Sequence, residues 1–153
     1  MTTNTTINFD LLDAGIEDAA TGAHGYEHDQ SNWVAVVSPH EEPDHPCGTA
    51  MCLAGFVAIR AGAEVPKPIY DYFMGAWDIP YWDVNPETGQ LDSRHGVHVA
   101  TFARKRLGIS DDQADALFAG SNTLRVLRAM RDYLRDNPDA TYAELNDIRI
   151  RNH

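Results

Sequence analysis

The chain reads as mainly α: a single compact helical domain, residues 1–153, of five or six helices, with a small β element near residues 32–37. Three observations predict this. Apolar residues recur at helical spacing in several separate segments. Helix start and stop signals punctuate those segments. The 153 residues are 43% apolar and 23% charged, the balance of a chain that folds around one core and is too short for two ordinary domains.

Taken in order, INFDLLDAGIEDAA predicts a first helix over residues 7–20. Ile7, Leu11, Leu12 and Ile16 recur at helical spacing, and Gly22 acts as a stop. NWVAVV, residues 32–37, is β-prone and predicts a strand that needs a partner elsewhere. The acidic, proline-rich HEEPDHP that follows reads as loop. From 48 to 62, GTAMCLAGFVAIRAG carries one charge, Arg60, and is apolar all round, which predicts a central buried helix with Cys52 inside it. Ala50, Ala54, Ala58 and Ala61 would share one side of that helix and let a neighbour approach closely.

Residues 64–96 read as an aromatic, irregular segment. Within it, IYDYFMGAWDIPYW (69–82) holds six aromatic rings in fourteen positions. Residues 97–135 read as a helical hairpin section. VHVATFARKRLG stops at Gly108, with Arg104, Lys105 and Arg106 where cations favour the helix dipole. Ser110 and Gln113 form a capping box that opens DDQADALF, with Gly120 as its stop. The next helix carries Leu124, Leu127, Met130 and Leu134 on one stripe and ends before Pro138. Thr141 and Glu144 form a second capping box, opening a short last helix over 141–149.

Charge is distributed unevenly. The net charge is −11; residues 1–93 hold fifteen acids against Arg60 and Lys67 (2 − 15 = −13), and residues 94–153 hold ten bases against eight acids (10 − 8 = +2). This argues against nucleic-acid binding by the chain as a whole and leaves room for an acidic surface that meets a basic partner. The amino terminus lacks the basic start and apolar run of a signal peptide, and no segment approaches membrane-spanning length. The expected location is therefore cytoplasmic, with no membrane association.

The CGTAMCLAG motif, followed after a variable middle by FARKRLGISDDQADALFAGSNTLRVLRAM, resembles a group of small uncharacterised proteins from bacteria, notably actinobacteria, and their bacteriophages. That group is similar in its CGTxxCxAG helix, its leucine-glycine turn, its acidic capped helix ending in Leu-Phe and its closing amphipathic helix. The resemblance covers residues 46–62 and 97–134. It implies a shared fold and origin, so that the expected cytoplasm is that of a bacterium or an infected host cell, and it supplies no catalytic residues.

Four readings of the chemistry compete. A cysteine at a helix N-terminus is a candidate nucleophile, so Cys47, with His40 or His45 as base, defines a cysteine-dependent enzyme. No orienting residue is tied to either histidine by a recognisable motif. His40, His45, Cys47 and Cys52 define a zinc reading, with His24, His28, His95 and His98 as further donors, but their spacing matches no established framework. Residues 110–135, with Arg125, Arg128, Arg131 and Arg135 near one side of the second helix, define a helix-turn-helix DNA binder, opposed by Asp111, Asp112 and Asp115. The fourth reading is a binding protein without catalysis, cofactor or metal. It engages a protein partner, or a second copy of itself, through Tyr70, Trp77, Tyr81 and Trp82; the alternative for this run is that Trp77 and Trp82 fold back over the small-residue face of the central helix. The sequence favours the fourth.

Overall fold

The computed structural model describes residues 6–22, 27–28, 35–36, 49–67, 69–78 and 82–152. Among them are six α-helices and three small sheets, a mainly helical domain with minor β structure as the sequence predicts.

Helix α1 (Phe9–Thr21) starts at Asn8, whose side chain accepts from Leu11 N–H, and ends at Gly22 in the left-handed conformation. Ile7, outside the helix, and Leu12, in its first turns, are both buried, the positions of a hydrophobic staple. Asn8 N–H donates to Leu107 O at 2.8 Å and ties this entry to a later helix.

The expected helix over 48–62 is corrected at its start. Residues Thr49–Met51 form strand β3, and helix α2 runs only from Leu53 to Arg60, with Cys52 as its N-cap and not inside it. β3 is the central strand of a three-stranded sheet with β1 (Glu27–His28) and β2 (Ala35–Val36). It pairs parallel with β1, Glu27 opposite Ala50, and antiparallel with β2, Ala35 opposite Ala50. Gly48 and the β-branched Thr49 are weak helix formers, so strand pairing outcompetes helix extension there. β2 lies within the 32–37 stretch, and the partner it needed is the front of the segment expected to be helical.

α2 is central. Leu53 to Ala58 are all buried, and the helix packs against α1 on one side and α3 (Val99–Leu107) on another. α1 and α2 approach closely at Gly15 of α1, where an added Cβ would stand 2.5 Å from Val57 Cγ2. The small residue that admits the neighbour therefore sits on α1. Of the expected alanine face, Ala54 and Ala58 are buried, Ala50 belongs to β3, and Ala61 is the C-cap.

Two short hairpins fill the segment expected to be irregular. β4 (Ile69–Asp71) pairs with β5 (Ala76–Asp78), and β6 (Asp83–Val84) pairs with β7 (Val97–His98). α3 follows β7, begins at His98, whose Nδ1 accepts from Ala100 N–H, and stops at Gly108.

The remaining helices are α4 (Asp111–Leu117), α5 (Leu124–Asp136) and α6 (Tyr142–Arg151), and both expected capping boxes are formed. α6 packs against α4 and against α5. Gln113 does more than cap: while its Oε1 accepts from Ser110 N–H, its Nε2 donates to Pro138 O at 2.8 Å and Ala140 O at 3.2 Å. It thereby pins the α5–α6 turn to the start of α4. Buried Asn122 closes the other end of α4, its Nδ2 donating to Ala116 O and Leu117 O. This lets the helix end before Gly120.

Candidate interaction surface

The aromatic run divides into two parts with opposite fates. At its C-terminal end Trp82 is 3% exposed, and its indole Nε1–H donates to Glu64 O at 2.8 Å. Trp82 O in turn accepts from Val99 N–H at 3.0 Å, holding the first residue of α3. This corrects the expectation that Trp82 belongs to a partner-binding surface. The ring has an apolar body that fills the core and one polar atom that finds a backbone carbonyl, which is how a buried indole is accommodated.

The β4–β5 hairpin does the reverse. Ile69 opposes Asp78, Tyr70 opposes Trp77, and Asp71 opposes Ala76, leaving Tyr72 to Gly75 as the loop. Asp71 organises that loop. Its Oδ1 accepts from Phe73 N–H at 2.9 Å and Met74 N–H at 3.2 Å, and its carbonyl accepts from Gly75 N–H at 2.8 Å. Gly75 takes φ +63°, a left-handed conformation that costs glycine little and closes a four-residue connection.

With the N–H groups of Phe73, Met74 and Gly75 turned in on Asp71, the side chains of the loop stand in solvent. Tyr72 is 90% exposed, Phe73 102% and Met74 76%, and Ile69 and Tyr70 are also exposed. Tyr70 and Tyr72 stack edge to face, ring centroids 5.0 Å apart, which braces the side of the loop. A contiguous apolar tip presented on a hydrogen-bonded turn differs from the scattered apolar residues of any protein surface.

Of the residues the sequence marks for partner contact, Tyr70 lies exposed on β4 and Trp77 is its register partner on β5. Tyr81 lies outside the described residues. Tyr72, Phe73 and Met74, at the centre of the patch, were not singled out as partner-binding. The signal for them was the Asp71 to Gly75 spacing between two β-prone runs, a hairpin with a glycine in its loop.

Helix α2 begins at Leu53, so the segment that precedes it places β3 between Cys47 and the helix N-terminus. The dipole argument for a Cys47 thiolate is corrected accordingly. Cys47, His40 and His45 themselves lie outside the described residues. Cys52 is buried at the N-cap, where its thiol makes no capping hydrogen bond. Among the described residues no three His, Cys, Asp or Glu side chains gather in a group able to hold a metal.

The arginines of α5 are partly committed within the chain. Arg131 and Arg135 both pair with Asp13 of α1, the first at 3.4 Å, and the Arg135 guanidinium also lies 5.6 Å from the Phe9 ring centroid. Arg125 and Arg128 are exposed. On α4, Asp111, Asp112 and Asp115 are exposed as well, and Asp111 pairs with Arg104 at 3.0 Å.

Among the described residues two groups titrate away from their ordinary ranges. Backbone N–H groups of His95 and Arg94 hold the Asp92 carboxyl below the usual aspartate value. Desolvation, with Glu144 beside it, raises the Tyr133 phenol. Neither lies in the β4–β5 hairpin. No helix among the described residues is long and apolar enough to cross a membrane. No protein-family model, curated protein or solved structure matches the chain.

Proposed function

We propose that this chain is a small accessory protein, of the bacterial and bacteriophage kind it resembles, that acts in the cytoplasm by binding a protein partner through the β4–β5 hairpin and has no catalysis of its own. The observation that carries this reading is the exposure of Tyr72, Phe73 and Met74 on a turn held by Asp71 and Gly75. A preformed turn loses little backbone freedom on docking, and aromatic residues and methionine are enriched at the centres of interfaces.

Affinity capture of the tagged chain from its native cell, quantified by mass spectrometry, tests the reading. The triple variant Tyr72→Ser/Phe73→Ser/Met74→Ser should lose a partner that the wild type retains, whereas Tyr142→Ser, at an exposed site on α6, should keep it. A capture profile unchanged by the triple variant contradicts the reading. Loss only on Cys47→Ala would favour the cysteine enzyme, and nucleic acid lost on replacing Arg125 and Arg128 would favour the DNA binder.

A further inference from the structure

We infer that the partner is a protein presenting an apolar pocket rimmed by lysine or arginine, into which the hairpin tip inserts. This rests on the hairpin being the binding surface and adds the chemistry of what covers it.

Shape is the first argument. Tyr72, Phe73 and Met74 occupy a tight loop between two three-residue strands, so the apolar surface is convex. A convex tip is desolvated fully only by a concave counterpart.

Charge is the second. Exposed Asp71 stands at the base of the tip; exposed Lys67 precedes β4 by two positions, but residues 1–93 as a whole carry fifteen acids against two bases. Such a field attracts a cationic rim and opposes an anionic lipid surface. It also opposes a second copy of a chain with net charge −11. Several cations of a second copy are neutralised already, Arg131 and Arg135 by Asp13, Arg104 by Asp111 and Arg151 by Asp147, while Arg125 and Arg128 stay exposed and make the dimer an explicit outcome of the test.

The test is selection of a random peptide library against the folded full-length chain, followed by binding of the selected peptides to variants and across salt. Peptides combining aromatic or aliphatic anchors with lysine or arginine should emerge. They should bind Phe73→Ser and the triple serine variant at least about tenfold more weakly than wild type. Their affinity should fall as salt rises. Asp71→Asn, which keeps an oxygen to accept the Phe73 and Met74 amides, should weaken them while leaving the denaturation midpoint in place.

Tip-dependent peptides that lack cationic residues and ignore salt would overturn the rim and leave the hairpin reading standing. Peptides that bind the triple variant as well as wild type would overturn both. Tip-dependent binding to phosphatidylcholine vesicles, or a tip-dependent dimer in sedimentation, would overturn the inference in favour of lipid or of a second copy.

Discussion

The helix α2 segment LAGFVAIR and the hairpin segment IYDYFMGAWD are both rich in apolar residues, yet from Leu53 to Ala58 every α2 residue is buried, whereas at the tip of the hairpin Tyr72, Phe73 and Met74 face solvent. The difference lies in how each backbone satisfies itself. α2 makes its hydrogen bonds along its own axis and offers apolar surface all round, so α1 and α3 can pack against different sides. The hairpin turns its backbone polar groups inward on Asp71 and throws its side chains outward. Composition alone does not decide burial; α1 and α3 cover α2, whereas the tip side chains stay open to solvent.

Trp82 and Phe73 are the sharpest pair for testing that contrast, because they come from the same aromatic run. Trp82→Ala should cost about 3–5 kcal/mol in urea denaturation, as large core deletions do. Trp82→Phe should cost less, about 1–3 kcal/mol, mainly from leaving the Glu64 carbonyl without its indole donor. A small loss in both variants would break the division of the run.

Next in size are changes at α2. Leu53→Ala should lose about 2–5 kcal/mol through the cavity it opens. Gly15→Ala should lose about 1–3 kcal/mol for the opposite reason, because its Cβ overpacks against Val57. If Gly15→Ala were neutral in the same denaturation experiment, α1 and α2 would not be in their close approach.

Asp13→Ala probes the polar link between α1 and α5. Two arginines lose their shared partner, but all three side chains are partly solvated, so the expected loss is about 1 kcal/mol and should shrink at high salt. Smaller still, Phe73→Ser should leave stability within about 0.5 kcal/mol of wild type, the behaviour of a surface position. At the bottom of the scale, Asp92 should titrate below ordinary aspartate by NMR. A depressed folded value means its contribution is present at neutral pH and is lost as pH falls through that value; an unshifted titration would remove the Asp92 turn.

Much of the helical architecture was legible because its signals are local. The Ser110/Gln113 and Thr141/Glu144 boxes, Gly22 and Gly108 each mark an end through hydrogen bonds spanning a few residues. The start of α2 was not legible, since the choice between helix and strand at Thr49–Met51 depends on β1 and β2, which are distant in sequence. Likewise the aromatic run gave its composition but not its partition: whether Trp82 is core depends on the Glu64 carbonyl, eighteen positions away. The exposed tip is legible in principle from Asp71 and Gly75, but aromatic density alone marks Tyr70, Phe73, Trp77, Tyr81 and Trp82 alike and does not tell the loop residues from the core ones.

Methionine oxidation tests the central contrast most directly, because the two fates each contain one: Met74 at the hairpin tip and Met130 in the core. Under dilute hydrogen peroxide in native conditions, followed by peptide mass spectrometry, Met74 should oxidise at the rate of an exposed thioether, while Met130 stays protected until urea unfolds the chain. Protection of Met74 equal to that of Met130 would mean that the tip is packed, and the surface on which the proposed binding depends would not exist.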